Sequence, residues 1–238
     1  MKTLHSAVWI FALLLTVMCT GCATTSHKAV ADLSLRKNTE RILLMPMDIE
    51  LNELTAGGVL EPNAAWTADA NRFVHDAISE KIASQSRVEV IDLNIESVQL
   101  DAEERKLQSQ LIKLHEMVGQ TILLHKYLQP FNLPNKSGFD WTLGEKAEFL
   151  KKKFGADYAL FIYLRDSYAT AGRVAVILVA SALGVGVSGG QQVGFASLVD
   201  LDTGQVVWFN RLMRGVGDLR NRDAAASSID ELLIDFPT

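Results

Sequence analysis

The 238-residue chain predicts one α/β domain: a mixed sheet of about five strands with helices packed against it, finished by a C-terminal β-hairpin and helix. Three observations predict it. Short apolar runs of strand length stand at residues 42–47, 88–93 and 158–164; stretches with apolar residues at helical spacing lie between them; and two strand-like runs near the end flank a Gly-containing turn. Strands interleaved with helices imply a layered α/β arrangement. Neither a repeat nor a linker divides the later part, so the chain reads as residues 1–21, an export signal; 22–40, an anchor and polar tether; and 41–238, the domain.

Met1 to Thr20 has the layout of an export signal: Lys2 near the amine, an almost wholly apolar run from Ala7 to Met18, then small residues. That run is shorter than the roughly 20 apolar residues a bilayer-spanning helix needs. Its end, Cys19-Thr20-Gly21-Cys22, resembles the lipobox of bacterial lipoproteins, in which an aliphatic residue and two small ones precede a Cys that is acylated. Cys19 stands where that pattern has Leu, and Gly21-Cys22-Ala23 also fits an ordinary small-x-small cleavage site, so acylation at Cys22 and simple secretion are both open. The resemblance implies a lipid bilayer as partner through acylated Cys22. Ala23, where Asp would follow in retained lipoproteins, implies an outer-membrane, periplasm-facing address in enteric-type bacteria. Residues 23–36 are polar without apolar periodicity and read as a tether.

With Cys19 removed and Cys22 acylated, no disulfide is available, so stability rests on a core; 48% hydrophobic composition is enough for one. A net charge of −5 argues against nucleic acid, which requires a concentrated basic surface.

In chain order, Ile-Leu-Leu-Met-Pro-Met at 42–47 is a strand that Pro46 confines to an edge or to its own end, and a Gly-containing loop follows. Thr67 is a potential cap for an amphipathic helix carrying Ala70, Phe73, Val74, Ala77, Ile78 and Ile82. Val-Glu-Val-Ile-Asp-Leu at 88–93 is the second strand. Asp101 and Glu104 have capping-box spacing before a long helix with a Leu107, Leu111, Leu114, Val118 stripe, ended by Pro130 and Pro134. Thr142 and Glu145 repeat the capping-box spacing before Phe149, Leu150 and Phe154, and Gly155 is a natural stop. Tyr158 to Leu164 is the best central strand. Residues 194–201 and 206–213 form a hairpin about Asp202-Thr203-Gly204-Gln205, and a last helix from about Asp223 turns Ile229, Leu232, Leu233 and Phe236 to one side.

The lipobox, the Ile-Leu-Leu-Met-Pro strand, the helix with Phe73 and Ile82, Ala156-Asp157-Tyr158-Ala159 entering the central strand and the Val199-Asp200-Leu201-Asp202-Thr203-Gly204 hairpin together resemble the α/β lipoproteins of the CsgG, LpoB and TolB-amino-domain type, over roughly residues 41–236. Gly204 to Asn210 is similar to uncharacterised proteobacterial lipoproteins of that group. The resemblance implies a non-enzymatic envelope role: secretion-channel subunit, activator of a peptidoglycan synthase, or component of an envelope complex, with a protein partner or a homo-oligomer.

Candidate chemistry is sparse. Asp202-Thr203-Gly204 is the aspartic-protease tripeptide, but one copy would need a symmetric dimer to make a carboxylate dyad, and Asp and Gly are ordinary turn residues. Gly184 to Gly189 matches GxGxxG, but a strand rather than a helix start should follow, which leaves a flexible connection as the better reading. His75 and His115 read as helix-surface or core-edge groups, and the histidines lack metal-ligand spacing. No catalytic residue, metal site or cofactor is therefore expected. Two features remain. Residues 174–187 carry no charge and are expected to be buried against the sheet, the alternative being an exposed face for lipid or a neighbouring subunit. Arg211, Arg214, Arg220 and Arg222 cluster in sequence and offer a surface for an anion or acidic partner, unless neighbours such as Asp218 and Asp223 neutralise them.

Overall fold

In the computed structural model, which describes residues 23–29, 40–83, 88–93, 100–128, 131, 133, 138–215 and 217–237, the sheet is organised around one long strand, β6 (Tyr158–Ala169). The other strands are β1 (Ala23–Ala29), β2 (Glu40–Leu44), β3 (Asp48–Leu54), β4 (Leu60–Pro62), β5 (Val88–Asp92), β7 (Gln192–Asp200) and β8 (Val206–Arg214). Their order is β1-β8-β7-β6-β2-β5. One edge of β6 takes β7 antiparallel, while the other is shared by β2 and then β3, both parallel to it. The helices are α1 (Ala64–Ala83), α2 (Ala102–Ile122), α3 (Glu148–Phe154), α4 (Ala171–Ala182) and α5 (Arg222–Leu232).

The sheet is mixed α/β as expected, but it has eight strands rather than about five. Proline explains one addition. Pro46 has no N–H to give, so the strand starting at Glu40 stops at Leu44, and the chain resumes pairing as β3 farther along the same edge of β6. Interrupted in this way, β2 lies inside the sheet between β6 and β5, and the stretch expected to be a loop supplies β3 and β4. The third addition is β1, which comes from the stretch read as a tether: Ala23–Ala29 pairs antiparallel with β8 from Ala23 opposite Arg214 to Ala29 opposite Trp208. Backbone pairing at a free strand edge needs no apolar periodicity, so polar sequence was no bar to it. The predicted signal of residues 1–21, Cys22, and the helix-ending Pro130 and Pro134 lie outside the described residues.

Both faces of the sheet are covered, which is why its inner strands read as unbroken apolar runs. Along β2, Ile42 and Leu44 point into one core and Leu43 into the other; along β6, Leu160 and Ile162 alternate with Ala159 and Phe161 in the same way. The first core is closed by α1 through Val74, Ile78 and Ile82 and by α5 through Ile229 and Leu232. The second is closed by α2 through Leu111 and Ile122 and by the segment around Leu150.

Local signals hold unevenly. The capping box is present, with Glu104 N–H donating to Asp101 at 2.9 Å and the Asp101 N–H donating back to Glu104 at 2.9 Å. The cap of α1 is Asn63, which accepts from Trp66 N–H at 3.1 Å; Thr67 instead accepts from the Leu51 amide at 3.0 Å, tying helix to strand. Thr142 makes no capping box with Glu145: its hydroxyl donates to the Gly204 carbonyl at 2.9 Å, and residues 145–147 form a single 3₁₀ turn before α3. Gly155 does stop α3 in a left-handed conformation, with φ 67°. On α2 the inward stripe is Leu111, His115, Gly119 and Ile122, whereas Leu114 faces out.

Candidate functional site

The C-terminal end of β6 collects the features that stand apart from the packed core. Across the sheet, Ala23, Arg214, Gln192, Asp166 and Leu51 form one row of paired positions on β1, β8, β7, β6 and β3. Everything that follows β6, precedes β7, leaves β3 or enters β1 therefore emerges at this end.

α4 begins here. Thr170 accepts from the Arg173 amide at 3.3 Å as its N-cap, and its own amide donates to the Leu54 carbonyl at 3.0 Å, fixing the helix start to β3. The helix ends in a Schellman turn: Val185 N–H donates to Ala180 O at 2.8 Å and Gly184 N–H to Ser181 O at 3.0 Å, with Gly184 at φ 75°. So the first glycine of the GxGxxG match closes a helix, and the motif opens none. Gly190 has φ 123°, and a Cβ there would meet the Ser167 carbonyl oxygen at 2.1 Å, so this glycine lets the returning chain press against β6.

None of the helix is buried, contrary to the burial expected for residues 174–187. Leu178 is 67% exposed, Val179 63% and Leu183 76%. The reason is architectural: both sheet faces already carry helices, and α4 projects from the end of β6 with no layer left to join. One side of it forms an apolar groove of about 430 Å³ lined by Ala175, Val176, Val179, Ala180, Leu183 and Val185. Burying a Leu or Val side chain is worth about 1.5–3 kcal/mol each, so a run of this kind left in water forgoes a large stabilisation. Beside it, the β3–β4 turn exposes Val59 and Leu60, and the Arg173 guanidinium reaches Ser188 O at 3.0 Å and the Ala56 carbonyl of that turn at 3.5 Å. No helix among the described residues is long and apolar enough to cross a membrane.

Beneath α4 lies a buried polar row. Asp166 accepts from the Tyr168 hydroxyl, from Gln192 Nε2 at 2.9 Å and from the Leu219 amide at 3.3 Å. Burial pushes its carboxyl pKa up in spite of these donors, and burial together with the Asp166 carboxylate pushes the Tyr168 phenol up. Ser228 donates to Gln192 Oε1 at 2.9 Å, and Arg214 donates to Ser228 at 2.9 Å while forking onto Glu231. A polar notch of about 260 Å³ opens beside this row, lined among others by Asp166, Gln192, Gly217 and Arg220.

The four arginines do not form one anion surface. Arg211 lies over the Tyr127 ring at 4.4 Å, Arg214 is tied to Glu231, Arg220 chelates Asp218 at 2.8 and 2.9 Å while stacked on Tyr168 and Trp66, and Arg222 bonds Asp76 at 2.7 Å. Three of them are ion-paired, Arg220 with its sequence neighbour Asp218 and Arg214 and Arg222 with Glu231 and Asp76.

Asp202 is exposed and ion-paired with Lys151 at 2.6 Å, while Asp200 holds the turn by accepting from the Asp202 and Thr203 amides. His75 pairs with Asp92. His115, expected at a helix surface or core edge, is instead buried, stacks on Phe161 at 5.0 Å and shares a 2.9 Å hydrogen bond with Ser197, and burial depresses its pKa to about 3. Among the described residues no group of three His, Cys, Asp or Glu is placed to hold a metal ion.

No protein-family model matches the chain, and no curated protein matches it. Among solved structures, a PelC dodecamer from Paraburkholderia phytofirmans aligns over 90% of this chain and 99% of its own, with 11% identity and a TM-score of 0.39. A point variant of the PelC dodecamer from the same organism aligns over 89% and 96%, with 13% identity and a TM-score of 0.38. Likeness of that degree carries no inference about the role of this chain.

Proposed function

We propose that this chain is a lipid-anchored envelope protein, acylated at Cys22 and facing the periplasm from the outer membrane, that serves as a non-enzymatic component of a membrane-side assembly, with the end of the sheet bearing α4 as its contact surface. The observation that carries the reading is the exposed helix α4, without a charge from Val174 to its end, in a domain whose other helices close two cores. The lipobox-like Cys19-Thr20-Gly21-Cys22 supports the anchor. A hydrolytic role for Asp202 has no support from its surroundings, because its carboxylate is engaged by Lys151 on an exposed turn.

Metabolic labelling with a radioactive fatty acid tests the anchor: wild-type protein incorporates label, and Cys22→Ser loses it and accumulates a precursor. Label that survives the substitution sinks the acylation assignment. Crosslinking from intact envelopes tests the assembly role. Recovery of the protein only as an uncrosslinked monomer, at every crosslinker position tried over the exposed surface of the domain, refutes it.

A further inference from the structure

Ala23, the residue after the proposed anchor, and the exposed helix are at the same end of the sheet, although 146 residues of chain stand between Ala23 and Thr170. The chain enters β1 at Ala23, the residue after the acylation site, and Ala23 is paired with Arg214 in the row that runs through Gln192 to Asp166, three residues before the end of β6. Adjacent strands lie about 4.8 Å apart, so β1 and β6 are separated by about 14 Å. The β3–β4 turn, with Val59 and Leu60 exposed, leaves at this end too, because Leu54 pairs with Ala169.

We infer that α4 is a second membrane contact, entering the same leaflet that holds the acyl chains on Cys22, with Val59 and Leu60 beside it; the inference rests on the acylated-anchor reading. A helix of 12 residues is about 18 Å long, which cannot cross a hydrocarbon core of about 30 Å but can lie in one leaflet. A surface helix in water keeps a polar face, and α4 has none: from Val174 to Ala182 its only hydroxyl is Ser181 and it bears no charge. Its single charge, Arg173, sits in the first turn and is bound to Ser188 and to the β3–β4 turn, at the base of the helix where headgroups would begin. A second copy of the chain is the poorer occupant. A stable protein interface takes roughly 20–30 residues a side, about twice the 12 residues of α4. Acyl chains alone tether the domain at one point and leave it free to tilt; a contact about 14 Å away fixes which way the sheet stands on the membrane.

The experiment uses the acylated chain reconstituted into vesicles of phosphatidylethanolamine and phosphatidylglycerol, with a nitroxide attached at Leu178→Cys or, as a water-facing reference, at Asp230→Cys. At position 178 the label should become accessible to oxygen and shielded from a water-soluble nickel chelate, with the accessibility ratio shifted about tenfold from that at 230. Water-like accessibility at 178 overturns the inference, as does spin–spin broadening at 178 from a neighbouring copy. A companion arm uses the unacylated Cys22→Ser chain, whose residual binding to the same vesicles should fall about tenfold or more in Leu178→Asp/Leu183→Asp. Both side chains are largely exposed, so the thermal unfolding midpoint should hold, and equal binding with and without the two aspartates also overturns the inference. Failure of the anchor reading is seen separately: no fatty acid on the wild-type chain, with 178 still in lipid, removes the anchor and leaves the helix contact standing.

Discussion

His115 gives the sharpest test of the packing. Its ring is buried between Phe161 and Phe195, with Ser197 as hydrogen-bond partner, and burial holds its pKa at about 3 against 6.5 for the ordinary group. Below pH 6.5 the unfolded chain binds a proton at this site that the folded chain refuses. The stabilisation is therefore complete above about pH 6.5 and is lost as pH falls toward 3, at about 1.36 kcal/mol per pH unit. At pH 5 the loss is about 2 kcal/mol. Asp48, whose carboxyl is raised by burial but pulled down further by Lys113 and Arg165, shifts stability only near and below the ordinary carboxylate range, whereas Asp166, pushed up by burial, gains stability as pH falls, opposite in sign to the histidine; the comparison with a variant that lacks the imidazole isolates His115. The assay is urea unfolding of the Cys22→Ser chain at pH 7.5, 6 and 5, with and without His115→Gln, which cannot titrate but can still accept from Ser197. The wild-type curve should lose about 2 kcal/mol more than the variant between pH 7.5 and pH 5. Equal losses, or a histidine that titrates near 6.5 in the folded protein by NMR, would refute the buried neutral imidazole.

Three other substitutions probe different layers. A Cβ at Gly119 would lie 2.0 Å from the Phe195 ring, which is itself stacked on Tyr163 at 4.7 Å; Gly119→Ala should destabilise by about 1–2 kcal/mol in urea, the overpacking outweighing alanine's better helix propensity, and a stabilised variant would contradict the packing. Asp101→Ala removes the capping box and should cost about 1 kcal/mol, with faster amide exchange in the first turn of α2. Asp202→Asn breaks only an exposed ion pair with Lys151 and should shift stability by less than about 1 kcal/mol, leaving any envelope phenotype intact.

What the sequence made legible was whatever local chemistry decides. The apolar runs of β2, β5 and β6 and the periodic stripe of α1 are places where each residue's surroundings follow from its neighbours in sequence. β3 escaped because Asp-Ile-Glu-Leu-Asn-Glu-Leu alternates over only Ile49 and Leu51 and gains its identity from β6, with Asp48 pairing Tyr163. β1 escaped for the same reason more strongly, since its partner Arg214 lies near the other end of the chain. His115 was misplaced because a lone histidine on a helix carries no mark of which face it occupies; only the packing of Phe161 and Phe195 decides that. Residues 174–187 were misjudged because apolarity says that water is unwelcome without saying what replaces it. Two covered sheet faces leave no place for α4 in the core, and that fact belongs to the whole topology.

The arginines and the buried polar row show why this end of the sheet holds a definite shape. An exposed helix hung on two loops would swing unless its base were fixed, and here the base is fixed by hydrogen bonds between residues far apart in sequence. Thr170 is bound to Leu54, Arg173 to Ser188, and the Ser167 amide to the Gln191 carbonyl, so the start of α4 is tied to β3 and the chain returning from it is tied to β6. Below them Asp166 joins β6, β7 and the turn before α5, and Arg214 carries the connection from β8 through Ser228 and Glu231 into α5. A buried carboxylate is costly unless its donors are in place, so each of these contacts depends on the others being made. Arg214 and Gln192 occupy the row that also contains Ala23. The side chains that steady α4 are thus bonded into the strands beside the start of β1, and a force taken up at either point is shared through the sheet with the other.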